Sequence, residues 1–287
     1  MSRIAEMLAQ GRTFSFEFFP PKTPEAELTL EITLAELELL KPSFVSVTYG
    51  AGGATRERTH DLVVAINRNT TMTAMAHLTC AAHTRGELSE IVTRYRNAGV
   101  ENILALGGDP PAGLDLPPGD LHHAVELVEL VQEVGPFCVG VAAHPELHPN
   151  SPDRTTDRDF LAAKLERADF GITQFFFRAG DYLRMLDDLA ERGVDKPVIP
   201  GIMPVTNLSS IQRMAKLSGA EVPPEVVERV EAVADDPDAV RRVGVEMATE
   251  LCHELLDAGA PGLHFYTLNR STATREIYNN LGLAGPT

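Results

Sequence analysis

The sequence predicts an α/β fold, a single-domain (β/α)8 TIM barrel that spans residues 1–287. Short, mostly apolar segments of strand character alternate along the chain with longer helical segments, which is typical of a parallel sheet covered by helices. Eight such pairs occur, and eight β/α units in about 250 residues suit a closed barrel. An open doubly wound sheet is the alternative, but the pattern G-x-G-x-x-G of its dinucleotide-binding forms is absent.

The predicted strands are short runs rich in β-branched and aromatic residues. In chain order they are Phe14–Phe19, Phe44–Thr48, Thr73–Thr79, Asn102–Leu106, Cys138–Ala142, Ile172–Phe177, Val198–Met203 and Leu263–Tyr266. The predicted helices are Glu25–Leu40, Thr55–Asn69, Gly86–Ala98, Leu121–Val134, Asp157–Arg167, Asp181–Glu191, Leu208–Leu217, Pro224–Ala234, Asp238–Asp257 and Ala273–Leu281. Thr84 is a candidate N-cap for the third of these helices.

Composition narrows the class of protein. The formal net charge is −16, which makes nucleic acid and anionic membranes unfavourable partners. No apolar run is long enough to span a bilayer, and no signal peptide is recognisable. Cys80, Cys138 and Cys252 are far apart and form no C-x-x-C pair, which argues against a disulfide framework. We expect a cytoplasmic protein with small-molecule partners, and the sequence leaves its oligomeric state open.

Glu17 is the most informative residue of the first strand. It stands in Ser15-Phe16-Glu17-Phe18-Phe19-Pro20-Pro21, where alternation places Ser15, Glu17 and Phe19 on one face and the other phenylalanines on the opposite face. A buried carboxyl without a partner has a raised pKa, and such a group suits a general acid near neutral pH. The alternative is an edge strand with Glu17 in water.

Unusual polar residues recur where the predicted strands end. In a barrel, catalytic residues gather at the carboxyl ends of the strands and in the loops that follow, so these residues predict one active site. They are Glu17, Thr48, His77, Asp109, His144, Gln174, Asn269 and Arg270. A metal site built from His77, His144 and His148 is not predicted, because Pro145 breaks the helical spacing and no carboxylate completes a standard set.

The same segments carry a specific resemblance. The motifs SFEFFPP, VSVTYGAGG, HLTC, NILALGGDPP, ITQFFF, PGIMPVTN and HFYTLNR occur in this order. Together they resemble the methylenetetrahydrofolate reductase family. The resemblance implies a barrel enzyme of one-carbon metabolism and methionine biosynthesis. Such an enzyme reduces 5,10-methylenetetrahydrofolate to 5-methyltetrahydrofolate with NADH or NADPH, usually through bound FAD.

The resemblance also implies roles for individual residues. Glu17 matches the general acid that opens the methylene bridge to an N5 iminium, and Asp109 matches the acidic residue near the pterin and flavin. Gln174 matches a residue that hydrogen-bonds the pterin, while Tyr266 and Arg270 are the other expected substrate contacts. The residues expected to bind a cofactor are Thr48, His77, His144 and Lys164.

Departures from the family gather on the cofactor's side of the site. The family's Leu-Arg-Gly-Asp is Leu106-Gly107-Gly108-Asp109 here, and its Ala-Tyr-Pro-Glu is Ala143-His144-Pro145-Glu146. Of a basic set on the next helix only Lys164 remains, and Met214 stands where an aromatic residue is often found. Each lost cation weakens phosphate binding by about 1.5–3 kcal/mol per bond.

These departures support the hypothesis that FAD binds weakly or not at all and that NADH reduces the folate directly. Two alternatives stay open at this point. One is the same reaction through bound FAD, and the other is a folate-binding protein that has lost catalysis.

Overall fold

The computed structural model describes residues 2–49, 53–108 and 119–283. Within them, eight parallel strands close into a barrel in which each strand pairs with its sequence neighbours and the last strand pairs with the first. The strands are β1 (Thr13–Phe18), β2 (Phe44–Val47), β3 (Ala74–Thr79), β4 (Asn102–Leu106), β5 (Cys138–Ala143), β6 (Phe170–Phe175), β7 (Val198–Ile202) and β8 (Gly262–Tyr266). The predicted (β/α)8 barrel is confirmed.

Helices surround the barrel, and the described residues contain eleven of them. They are α1 (Ile4–Gln10), α2 (Pro24–Glu38), α3 (Gly53–Asn69), α4 (Arg85–Asn97), α5 (Ala124–Val134), α6 (Arg154–Arg167), α7 (Ala179–Glu191), α8 (Leu208–Ser218), α9 (Pro224–Glu231), α10 (Pro237–Asp257) and α11 (Thr272–Asn280). Across the described part of the chain, no helix is both long and apolar enough to cross a bilayer.

The faces of β1 are as predicted. Phe16 and Phe18 point outward into the core shared with the helices, where Phe16 packs 5.2 Å from the ring of Tyr278 on α11. Ser15 and Glu17 point into the barrel, beside His264 and Tyr266 in the β1–β8 ladder. The strand that carries Glu17 is therefore covered on both faces and is not an edge.

Helix α1 was not predicted. Its seven residues have no side-chain N-cap, so little in the local sequence indicates a helix. Ile4 seats it instead, because this side chain is fully buried against Phe44, Met75 and neighbouring inner side chains at the amino end of the barrel. The backbone N–H of Ile4 also donates to Oδ1 of Asn102 at 2.9 Å.

Two other local predictions had different outcomes. Thr84 caps α4 as expected, and its hydroxyl accepts from the backbone N–H of Glu87 at 3.2 Å in a capping box. Strand β6 begins and ends earlier than predicted, at Phe170 and Phe175. Phe176 lies after the strand, is buried and stacks on Tyr182 at 5.9 Å, so it packs in the core.

Candidate active site at the carboxyl ends of the strands

Glu17 lies inside the barrel near the carboxyl end of β1, with 17% of its side chain exposed. Its Oε2 is 3.4 Å from Nε2 of His77 and 3.4 Å from Nε2 of His264. The hydroxyl of Ser46 donates to the same oxygen at 3.4 Å. One carboxylate oxygen thus meets two imidazoles and a hydroxyl, contributed by β2, β3 and β8.

The pKa of Glu17 corrects the prediction made from the sequence. Burial raises this pKa, but the hydrogen bond from His264, the charges of His77 and His264, and the Ser46 hydroxyl lower it by more. The pKa of Glu17 therefore lies below its ordinary value of 4.5, and the predicted rise was wrong for the protein without substrate. Burial also lowers the pKa of His77 to about 4. His77 is therefore neutral at pH 7. The hydrogen bond from His264 is then the main interaction that lowers the pKa of Glu17 against the effect of burial.

Tyr266 stands next to this carboxyl. Its hydroxyl donates to the backbone carbonyl of Thr173 at 2.7 Å, and its ring meets the edge of His264 at 5.4 Å. Burial and the negative charge of Glu17 raise the pKa of Tyr266 well above 10, so the phenol stays protonated. Gly201 leaves room for the ring, because a Cβ there would lie 2.6 Å from Cε2 of Tyr266.

His144 and Lys164 lie near the end of β5. The ammonium of Lys164 on α6 donates to the carbonyl of Ala142 at 2.7 Å, and burial lowers its pKa to about 8. The His144 ring meets the His148 ring edge to face at 4.7 Å. Burial, aided by the charges of His148 and Lys164, lowers the pKa of His144 to about 3. Near pH 7, His144 is therefore neutral and Lys164 is charged.

Arg158 holds the loop that carries His144. This side chain is fully buried and pairs with Asp157 at 2.5 Å and Asp188 at 3.0 Å. It also donates to the three successive carbonyls of residues 144–146, at 3.0, 2.6 and 3.0 Å. A buried guanidinium needs such complete pairing, so the backbone of this loop is fixed by Arg158.

The remaining predicted site residues have different surroundings, and one of them lies outside the described residues. Gln174 lies on β6, and its Oε1 accepts from the backbone N–H of Phe175 at 3.0 Å. Thr48 directly follows β2, with its backbone N–H bonded to the carbonyl of Phe18 at 2.8 Å. Arg270 follows β8 with an exposed side chain, and it has no ion-pair partner among the described residues. Asp109 lies outside the described residues.

Two buried polar atoms near the end of β3 lack a hydrogen-bond partner among the described residues. Nε2 of His77 and Oγ1 of Thr79 are buried and form no hydrogen bond within residues 2–49, 53–108 and 119–283. Leaving such an atom unpaired costs about 1–3 kcal/mol. Within the same residues, no group of three or more potential His, Cys, Asp or Glu ligands is placed to hold a metal ion.

His264 and Arg158 were missed as site residues from the sequence. His264 belongs to the quoted motif HFYTLNR, and strand alternation puts it on the same face as Tyr266. That signal could have placed it inside the barrel. Nothing in the local sequence identifies the carbonyls that Arg158 binds, because they belong to a loop whose path is set by tertiary structure.

Comparison with known proteins agrees with this architecture. The sequence model of the family described as Methylenetetrahydrofolate reductase matches residues 2–282. The 5,10-methylenetetrahydrofolate reductase of Pectobacterium carotovorum subsp. carotovorum is 40% identical over 282 residues, which cover 98% of this chain and 93% of the relative. The enzyme of the same name from Escherichia coli K12 is 39% identical, with coverage of 98% and 94%.

A plant relative and a solved structure extend the comparison. The probable methylenetetrahydrofolate reductase (NADH) of Oryza sativa subsp. japonica is 33% identical, and the match covers 99% of this chain and 50% of that protein. An uncharacterized protein from Clostridium thermocellum, which binds two copies of 5-methyl-5,6,7,8-tetrahydrofolic acid, superposes with a TM-score of 0.65. Its identity of 15%, over 97% of this chain and 96% of that one, establishes likeness of fold alone. By its sequence matches, the chain belongs to the methylenetetrahydrofolate reductase family.

Proposed function

We propose that this protein reduces 5,10-methylenetetrahydrofolate to 5-methyltetrahydrofolate with NADH or NADPH, and that Glu17 is the general acid. Membership of the family supports the reaction. The observation that carries the role of Glu17 is its position, since this carboxylate lies inside the barrel among two imidazoles and the Tyr266 ring.

The proposed chemistry begins with a proton. Glu17 gives its proton to N10 of the substrate, the bond from the bridging carbon to N10 breaks, and an iminium forms at N5. A hydride then reaches that carbon. Glu17 has a lowered pKa in the free protein, so its role as an acid requires that it take up a proton when the substrate binds. Substrate that covers the exposed part of the carboxyl favours this neutral form.

Other residues are proposed to orient the substrate and to balance the charge that develops on it. Tyr266 offers a flat wall and Gln174 a hydrogen-bonding amide for the pterin, while Arg270 is free to meet an anionic part of the substrate. Asp109 is proposed to stabilise the iminium cation, as an anion near developing positive charge does. Thr48, His77, His144 and Lys164 are proposed to bind the hydride donor.

We further propose that NADH gives its hydride to the folate without flavin. One observation in favour is the sequence at Gly107, which stands where the resemblance implies an arginine, so that side chain is not present to meet a flavin phosphate. The named activity of the Oryza relative favours NADH as the donor. FAD, if bound, would relay the two electrons between the nucleotide and the folate. This variant of the reaction is the second candidate.

An absorption spectrum and an NADH oxidation assay test these proposals. We expect colourless purified protein that oxidises NADH when methylenetetrahydrofolate is present and no flavin is added. Stoichiometric bound flavin, or turnover that begins only after FAD is added, would reject the flavin-free route. Glu17→Gln should lower kcat by about 10²- to 10⁴-fold, and the exposed Glu31→Gln on α2 should leave it unchanged. A folate-binding protein without catalysis would bind the substrate yet show no turnover even in the wild type.

A further inference from the structure

A polar chain runs along the inside of the barrel below Glu17. His264 is fully buried there, with 0% of its surface exposed. Its Nδ1 is 2.8 Å from Oγ of Ser15. Its Nε2 is 3.4 Å from Oε2 of Glu17 and 3.5 Å from Oγ of Ser46. The order Ser15, His264, Glu17 therefore leads from the middle of the barrel to the proposed general acid.

We propose that His264 is a positioning residue that holds the Glu17 carboxyl and shares its proton, and that Ser15 sets the tautomer of His264. The inference rests on the proposed role of Glu17 as general acid.

The hydrogen-bond directions follow from the contacts of Ser15. Its hydroxyl has one hydrogen, and the carbonyl of Leu263, 3.4 Å away, can accept it. In the arrangement that we propose, the oxygen accepts from Nδ1–H of His264, 2.8 Å away. In that tautomer the lone pair of Nε2 faces Glu17, so neutral His264 can accept a hydrogen bond from the protonated carboxyl, or take the proton and face a carboxylate as imidazolium.

The proton balance of the step is simple. Glu17 transfers its proton to N10 and becomes a carboxylate. The proton that leaves is the one shared with Nε2, so the pair is then a carboxylate and a neutral His264 with its hydrogen on Nδ1. Solvent supplies one proton to the pair before the next turnover. His264 thus holds the Glu17 carboxyl in place and keeps the shared proton within reach of Oε2.

The groups that face His264 leave Glu17 as the partner that exchanges the proton. From β2, Phe44 stacks on the imidazole at 6.1 Å. His77 on β3 approaches Glu17, but burial lowers its pKa to about 4, so it is neutral at pH 7. Tyr266 on β8 has its hydrogen engaged by Thr173 and a pKa far above neutrality.

The test follows the protonation of Glu17 by infrared spectroscopy. The carboxylic acid C=O band that is present in the wild type at low pH and missing in Glu17→Gln belongs to Glu17. His264→Gln removes the interaction that contributes most to lowering the pKa of Glu17. We therefore expect this band to persist to a pH about 1–2 units higher. We also expect kcat to fall by about 10- to 100-fold, less than in Glu17→Gln.

Ser15→Ala provides a second, milder variant. Losing the acceptor for Nδ1–H destabilises the imidazolium, so the Glu17 band should shift in the same direction by a smaller amount. Thr13→Val is the matched control, because Thr13 lies two residues earlier on β1 and its buried hydroxyl has no partner among the described residues. The control should leave both the band and kcat unchanged.

The outcomes separate this inference from the proposed function. Wild-type turnover in Glu17→Gln rejects Glu17 as the acid and the inference with it. If Glu17→Gln is inactive but the band titrates alike in the wild type, His264→Gln and Ser15→Ala, the shared proton is rejected and any loss of kcat is structural. If His264→Gln does not fold, Ser15→Ala decides, and an unshifted band in that variant overturns the proposal.

Discussion

Lys164 offers the sharpest test of how the hydride donor is held. Its ammonium lies at the carboxyl end of β5, bonded to the carbonyl of Ala142 at 2.7 Å. Of the basic set that the family places on this helix, it is the one cation that remains in the sequence. If it binds a phosphate of NADH, replacing it should weaken nucleotide binding and leave the chemistry at Glu17 largely intact.

The size and pH dependence of the effect follow from the structure. A charge-assisted hydrogen bond contributes about 1.5–3 kcal/mol, so Lys164→Gln should raise KM for NADH by about 10- to 150-fold at pH 7. Burial lowers the pKa of Lys164 to about 8, so the ammonium is charged below that pH and neutral above it. In the wild type, kcat/KM for NADH should therefore be flat below about pH 8 and fall as pH rises through it.

Lys164→Arg separates charge from titration, because a guanidinium stays protonated throughout this range. We expect this variant to lose the fall in kcat/KM above pH 8, whatever its absolute activity. Lys196→Gln, before β7 at the other end of the barrel, is the control and should behave as the wild type. An unchanged KM for NADH in Lys164→Gln, together with the wild-type pH profile, would refute a phosphate contact by Lys164.

Three further substitutions test separate parts of the structure. A Cβ at Gly107 meets no atom within 4 Å, so Gly107→Arg should fit and tighten FAD binding by about 10- to 100-fold over Gly107→Gln, as measured by flavin fluorescence. Gly201→Ala would place a Cβ 2.3 Å from the carbonyl oxygen of Thr173 and against Tyr266, so KM for the folate should rise about tenfold in steady-state assays. Burial raises the pKa of Glu146 to about 7, so its ionisation lowers stability as pH rises from about 4.5 towards 7. Glu146→Gln should therefore stabilise by about 1 kcal/mol at pH 8, after allowance for partial exposure, and by almost nothing at pH 4, as followed by thermal unfolding.

The barrel was predictable because its signals are local. Each strand is a short apolar run, and each is followed by a helix long enough to cover it. The N-cap at Thr84 was also visible in the sequence. Helix α1 was not, since its position depends on Ile4 entering the amino end of the barrel, where it meets side chains such as Phe44 from distant parts of the chain.

The neighbours of Glu17 were predictable in part, but their electrostatics were not. Of the predicted residues, His77 lies 3.4 Å from the Glu17 carboxylate and Tyr266 pairs with Glu17 in the β1–β8 ladder, because parallel strands bring their carboxyl ends to one rim. The sign of the Glu17 pKa shift was wrong because it depends on partners that are 60 and 247 residues away, His77 and His264. Burial of Glu17 can be inferred from the apolar strand. The groups that lower its pKa are brought to it only when the barrel closes, so the sequence does not reveal them.

The order in which the substrates bind decides between the two routes for the hydride. Direct transfer requires the nicotinamide and the folate to occupy the rim together, because the hydride must pass between two bound molecules in contact. A flavin relay lets NAD⁺ leave before the folate enters, which is ping-pong kinetics. Initial rates measured against both substrates should therefore give intersecting double-reciprocal lines if NADH reduces the folate directly. Parallel lines would mean that an intermediate carrier holds the electrons. They would also show that the loss of side chains at Gly107 and on α6 has changed the contacts of the flavin without removing it.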